Sequence, residues 1–252
     1  MPDKPPPESQ EPHLPIGPLP RYFRDESARR RFVTELFDVG AHEYDSIERL
    51  LGLGTGPRYR RDALRRSGLA PGMRVLDIAT GTGLTAREAL SIVGASGHVV
   101  GLDPSAGMLS EAQTLAIPLV RALGEKLPLR ASSFDFACMG FALRHVCDLD
   151  RLFSEMHRVL VPGGTACVLE LTRPQRPIVA EAVRIFMTRV VPALARIARR
   201  DTDARRLMNF FWDTIEACVP PADVLAAFRR AGFAQPRRTV ILGLFSEYTA
   251  RK

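Results

Sequence analysis

Met73-Arg74-Val75-Leu76-Asp77-Ile78-Ala79-Thr80-Gly81-Thr82-Gly83 is the stretch whose reading decides the fold. An apolar run of strand length ends in a turn without bulky side chains, and a helix-forming segment from Thr85 to Val93 follows. A strand that feeds a small-residue turn and then a helix opens a doubly wound sheet, and its exposed amides border the ligand crevice of that class.

Working outward, the same alternation repeats. Val99 to Asp103 reads as a strand, Ser105 to Gln113 as a helix and Phe134 to Gly140 as a strand. A helix from Asp150 to Leu160 is closed by Pro162-Gly163-Gly164, and a strand from Ala166 to Leu171 follows. Continuously apolar strands separated by helices predict a mostly parallel sheet covered on both faces. Arg237 to Leu242 and Leu244 to Thr249, around Gly243, read as a final antiparallel pair. These runs supply six strands of the fold expected, an α/β, doubly wound, mostly parallel, seven-stranded Rossmann-like sheet with a C-terminal antiparallel pair and a helical lid. Upstream, Phe32, Leu36 and Phe37 and then Ile47, Leu50 and Leu51 recur at helical spacing, and a short helix from Arg60 to Arg66 stops at Gly68. Residues 1–20 hold eight prolines and read as a disordered tail, 21–70 as a helical cover, and 71–252 as the ligand-binding domain with a lid insertion over about 176–218.

Composition fits one globular domain: 252 residues, 46% hydrophobic and 25% charged. No apolar run reaches the length of a membrane span, and the proline-rich start is unlike a secretory leader. Cys138, Cys147, Cys167 and Cys218 form no C-x-x-C pair, so neither a zinc site nor a disulfide framework is expected, and no metal ligands are assigned. The net charge of +7 is concentrated between 184 and 206, where seven arginines meet two aspartates.

Gly81, Gly83 and Ala86 satisfy a G-x-G-x-x-A pattern, and Asp103 lies 20 residues past Gly83, where a ribose-binding acid belongs. Alone, this suggests a dinucleotide site, or merely a tight turn. Asp77 argues otherwise. A carboxylate four positions before Gly81 would repel a pyrophosphate and favour a cationic ligand. S-adenosylmethionine carries a sulfonium and an ammonium and no phosphate, so it is the cofactor expected, with Asp103 accepting from the ribose hydroxyls.

With these residues in place, the chain resembles the class I S-adenosylmethionine-dependent methyltransferases and, within them, the ubiquinone and menaquinone biosynthesis C-methyltransferases. The resemblance rests on Phe37 through Tyr44-Asp45, Val75-Leu76-Asp77 with Gly81-Thr82-Gly83, and Gly101-Leu102-Asp103. It continues in Glu125-Lys126-Leu127-Pro128, Phe141-Ala142-Leu143-Arg144, Arg158-Val159-Leu160, Pro162-Gly163-Gly164, Leu169-Glu170 and Ala231-Gly232-Phe233. It implies methyl transfer to a small aromatic or quinol acceptor. The expected cofactor contacts are Asp77, Thr80, Gly81, Thr82, Gly83, Asp103, Met108, Leu123, Gly124, Gly140 and Phe141; the expected catalytic residues are Tyr44, Arg144 and His145. The chain departs from the family pattern at Leu123, usually polar, at His145 and Glu48, usually asparagine, and at Gly56 and Tyr59, usually histidine and tryptophan.

A hydroquinone becomes nucleophilic at carbon by losing a phenolic proton, so Arg144 is expected to stabilise the phenolate and His145 to take the proton. Ordinary roles compete with these: a loop histidine bonded to backbone, and Tyr44 as packing. From Ile178 to Arg200 an apolar face of Val179, Val183, Phe186, Met187, Val190, Leu194 and Ile197 opposes an arginine face, with Pro192 expected to kink the helix. The segment reads as a pocket lid or as an interfacial helix on anionic lipid. The partners expected are the acceptor, a membrane periphery and a second copy in a homodimer, without nucleic acid, and the location expected is the cytoplasm. Competing functions are an O- or N-methyltransferase of specialised metabolism acting on a soluble polycyclic compound and a non-catalytic S-adenosylmethionine-binding or assembly protein.

Overall fold

The computed structural model describes Leu14, Ile16 and residues 19–197 and 204–252. Most of the tail assigned to 1–20, and the arginine-rich link at 198–203, lie outside the described residues. Of the described tail residues, Leu14 is exposed and Ile16 is buried. Ile16 forms an antiparallel bridge with Cys218 and is 4% exposed.

Seven strands form one sheet: β1 (Arg74–Ile78), β2 (His98–Asp103), β3 (Leu119–Arg121), β4 (Phe134–Gly140), β5 (Leu160–Leu171), β6 (Ala234–Ile241) and β7 (Phe245–Arg251). The order is β3-β2-β1-β4-β5-β7-β6. The first five are parallel, and β7 inserts antiparallel between β5 and β6. Leu242 and Gly243 both take positive φ, as a tight hairpin turn with the sheet's own twist requires. Chain order reverses between β1 and β4, so the ligand crevice of this fold opens at their carboxyl ends.

Period-two alternation assigns the strand side chains to two cores. Leu76 and Ile78 of β1 with Ala137 and Met139 of β4 face the core beneath α5 (Leu149–Val159) and α9 (Pro221–Arg230). Val75 with Phe136 and Cys138 faces the core beneath α2 (Gly56–Arg66) and α3 (Leu84–Val93).

A third cluster lies apart from these two. It joins α1 (Glu26–Leu51), α6 (Pro177–Ile185), α7 (Val191–Ile197) and α8 (Ala204–Glu216) through Ile47, Met187, Val191, Phe210, Phe211 and Trp212. Asp25 starts α1 by accepting from the Ala28 amide. The kink expected at Pro192 takes the form of a π-helical turn at Phe186–Val190, joining α6 to α7. Proline offers no amide to the carbonyl four residues back, and a widened turn just ahead of it absorbs the mismatch. The apolar face differs from the one expected: Met187 is buried as expected, but Ala180, Val191 and Ala195 join it, whereas Val179, Val190, Leu194 and Ile197 are exposed.

Candidate cofactor and acceptor site

One cavity sits at the carboxyl ends of β1, β2 and β4, under α1. Its floor is made by three loops. After β1, Ala79 and Gly81 both take positive φ and the Thr80 amide donates to Leu102 O, folding the turn back across the sheet. A side chain at Gly81 would be strained by that conformation, which leaves its backbone bare to a ligand. After β2, Asp103 Oδ2 accepts from the Gly81 amide at 2.9 Å and Oδ1 from the Ser105 amide at 2.8 Å. After β4, Phe141 is held at positive φ, a strained conformation for an aromatic residue. Gly140 is required just before it, because a Cβ there would lie 2.3 Å from Thr85 Oγ1.

Eleven of the expected site residues line the cavity: Tyr44, Thr80, Gly81, Thr82, Asp103, Met108, Leu123, Gly124, Gly140, Phe141 and His145. Three do not. Asp77 is fully buried beneath the β1 turn, accepting from Thr80 Oγ1 at 2.7 Å and from Cys138 Sγ at 3.4 Å. Its alternation on β1 points it to the α2–α3 side of the sheet, where it braces the turn and does not line the cavity. Gly83 starts α3 in the left-handed region without reaching the wall. Arg144 is 2% exposed and lies behind the wall, paired with Glu170 and donating to Phe141 O and Thr214 Oγ1. It holds the post-β4 loop, because residues 143–145 form one 3-10 turn that sends Arg144 inward and His145 to the cavity.

Burial holds the Asp103 and Asp77 carboxyls up at about 6, each against bonds to its charged form. At neutral pH Asp103 is ionised, and two amides occupy only part of its acceptor capacity, leaving lone pairs for a diol. The residues fit an adenosyl group: a carboxylate at the end of β2, a bare turn after β1, and Met108, Leu123 and Gly124 for an apolar ring face. Leu123 supplies no side-chain polar group there.

The roof is α1. Asp45 Oδ1 accepts from Thr82 Oγ1 at 2.5 Å, and Asp38 Oδ1 accepts from Ser105 Oγ at 2.5 Å and from the Gly107 amide at 3.0 Å. Arg29 donates to the carbonyls of Arg144 and Val146, both at 2.9 Å. One helix is thus fastened to all three floor loops. Phe37 and Tyr44 hang from it, ring centres 6.1 Å apart. His145 stacks on Phe210 at 5.7 Å and meets the edge of Phe37 at 5.3 Å, with both ring nitrogens buried and without a partner among the described residues. Burial, then the Arg144 and Arg29 charges, push its pKa well below 6.5, so the ring is neutral at pH 7. Burial likewise raises the Tyr44 phenol, which stays a neutral donor.

The segment expected to be the lid, 178–200, contributes nothing to this wall among its described residues; it packs against α1 and α8 from behind. Sequence reasoning missed Arg60, whose side chain is 5% exposed and lines the cavity from α2. Its single weak signal was its place on the helix that follows Gly56.

A crevice at the β1/β4 switch point, a β2-terminal acid bound to the β1-turn amide, and a helical roof over an aromatic chamber define the class of Rossmann-like S-adenosylmethionine-dependent methyltransferases. A solved methyltransferase of that class from Thermotoga maritima shares the fold, with a TM-score of 0.62 at 20% identity over 87% of this chain and 99% of its own. Residues 24–243 match the ubiE/COQ5 methyltransferase family, and the chain belongs to it. The ubiquinone/menaquinone biosynthesis C-methyltransferase UbiE of Hahella chejuensis is 35% identical over 70% of this chain and 74% of its own length. That of Syntrophotalea carbinolica is 36% identical over 82% and 88%.

Proposed function

We propose that this methyltransferase methylates a ring carbon of a quinol-type aromatic acceptor, with S-adenosylmethionine as donor. The observation that carries the reading is the division of one cavity into a polar, backbone-lined floor and an aromatic chamber under α1, in a chain whose curated relatives are named as quinone-pathway C-methyltransferases.

The bound cofactor supplies a methyl group on a positively charged sulfur. Asp103 accepts from the ribose hydroxyls, Met108, Leu123 and Gly124 enclose the adenine, and Gly81 and Thr82 border the methionyl end. Phe37, Tyr44 and Phe141 stack around the acceptor ring and exclude water, so the chain's main contribution is position. Tyr44 donates to an acceptor oxygen. His145 accepts a hydrogen bond from the acceptor hydroxyl; its lowered pKa makes it an orienting group and a weak store for the proton. Arg144 and Asp77 act at one remove, holding the post-β4 and post-β1 loops.

No helix of the described residues is long and apolar enough to cross a membrane. Exposed Ile178, Ile185, Val190, Leu194 and Ile197 beside exposed Arg189 and Arg196 support contact with an anionic membrane surface, where a prenylated acceptor would reside. The test is product analysis: incubation with the cofactor and a reduced demethylated quinol, followed by proton NMR. A new aryl C–CH3 resonance is expected, and an O–CH3 resonance as the sole product would overturn the reading in favour of O-methylation.

A further inference from the structure

We propose that Arg60 is the cation that meets the acceptor's ionising oxygen, a role that rests on the aromatic-hydroxyl reading above. Three observations carry it. Arg60 lies on the cavity wall, its side chain 5% exposed. Its guanidinium is pinned on two sides, with Nη1 donating to Glu48 Oε1 at 2.7 Å and the guanidinium carbon 5.1 Å from the centre of the Phe141 ring. Its Nε is buried and has no partner among the described residues.

A buried donor on a charged group without an acceptor is costly, and it is tolerated where a ligand completes it. The surroundings are built around this arginine. A Cβ at Gly56 would lie 2.4 Å from Glu48 Oε1 and 2.7 Å from Arg60 Nη1, so the glycine makes room for the ion pair. Glu48, Gly56 and Arg60 therefore form one unit. Arg144, which the sequence alone favoured for this task, is committed to Glu170 behind the wall.

Glu48 balances the charge of Arg60 before the acceptor arrives. The phenol loses its proton to solvent as the acceptor enters, before the rings enclose it, and the oxygen's new negative charge falls beside a guanidinium that stays protonated throughout. The ring carbon then bonds to the methyl carbon as the sulfur–methyl bond breaks, its electron pair going to sulfur. Loss of the proton from the methylated carbon to solvent restores the aromatic ring.

The experiment compares wild type with Arg60→Gln, Arg60→Lys and the double variant Glu48→Gln/Arg60→Gln, in which neither charge is stranded. Calorimetry with S-adenosylmethionine should give affinities within twofold of wild type. On a reduced quinol, kcat should fall about 100-fold in Arg60→Gln and the double variant, as for loss of one well-placed transition-state donor. Arg60→Lys should recover part of it, and the rising limb of the pH–rate profile should move to higher pH in the glutamine variants. A readout without turnover separates this from the acceptor reading. With S-adenosylhomocysteine present, the absorbance titration of bound 1-naphthol should ionise at least one pH unit lower in wild type than in the double variant. Equal ionisation in both, or a uniform activity loss with no change in the pH profile, overturns the role of Arg60. Lowered ionisation in wild type with no quinol turnover overturns the quinol reading alone.

Discussion

The floor and the roof of the cavity are made by different means. The floor is backbone geometry: positive φ at Ala79, Gly81 and Phe141, and amides of Gly81 and Ser105 converging on Asp103. The roof is side chains: Asp38 and Asp45 reaching down from α1, and rings hung from a helix that belongs to a separate hydrophobic cluster. A floor of this kind recognises what every member of the class must bind. A roof of side chains can change one residue at a time.

Floor and helical cluster meet at Arg144, which pairs with buried Glu170 of β5 and donates to Thr214 of α8, and removing its counter-charge offers the most forceful way to break the comparison. Glu170→Ala leaves a buried cation uncompensated and should cost about 3–5 kcal/mol in urea unfolding. A loss below about 1 kcal/mol would mean that floor and roof are not joined there. The floor itself is probed by Asp103→Ala, expected to weaken S-adenosylmethionine by roughly 1.5–3 kcal/mol in calorimetry. Its pH dependence has a definite sign. Only the ionised carboxylate accepts from both hydroxyls, so affinity should fall as pH drops through about 6, by up to tenfold per unit, and Asp103→Asn should abolish that slope. Stability through the same group runs the other way. A carboxyl whose folded pKa is raised binds its proton more tightly when folded, so the protein without cofactor gains from it on acidification from 7 towards 5.

Smaller effects belong to the roof's attachments. Starting the chain at Arg21 removes the buried Ile16 and should cost about 1–2 kcal/mol, after allowing for partial burial in the unfolded chain. Differential scanning calorimetry would read this as a drop of a few degrees. An unchanged melting temperature would show the Ile16–Cys218 bridge to be idle. The smallest change expected is from Asp45→Ala, about 0.5–1.5 kcal/mol in cofactor affinity through the lost Thr82 contact. A larger effect than that of Asp103→Ala would reverse the comparison and make the roof the main cofactor site.

The floor was legible in the sequence because backbone-determined sites need particular residues at fixed spacing. Gly81 and Asp103 stand where the turn and the ribose acid belong, and the strands on either side read as apolar runs. β3 was not assigned, since Leu119–Arg121 is three residues long and shows no period. Asp77 was placed at the ligand because spacing along a strand says nothing of which face a side chain takes under a folded-back turn. Arg144 and His145 were both sent to the acceptor; the 3-10 turn sends one to Glu170 and the other to the cavity. The lid was assigned to 178–200 on amphipathicity, a property that a helix packed behind another helix shares with one over a pocket. Arg60 was missed because what singles it out, a pinned guanidinium with an unpaired Nε, exists only once Glu48, Gly56 and Phe141 have been brought together.

The strand order has a consequence for the molecule in a crowded solution. An open sheet ends in two rows of unpaired amides and carbonyls, each a template on which a second chain could add a strand. Here one border, β3, is three residues long and offers little to copy. The other, β6, is eight residues long but carries Pro236, a break in register between Ala234 and Arg237, and the adjacent cations Arg237 and Arg238. A missing donor, a local twist and repelling charge make that border a poor partner for itself, so the antiparallel pair that completes the sheet also keeps it from growing.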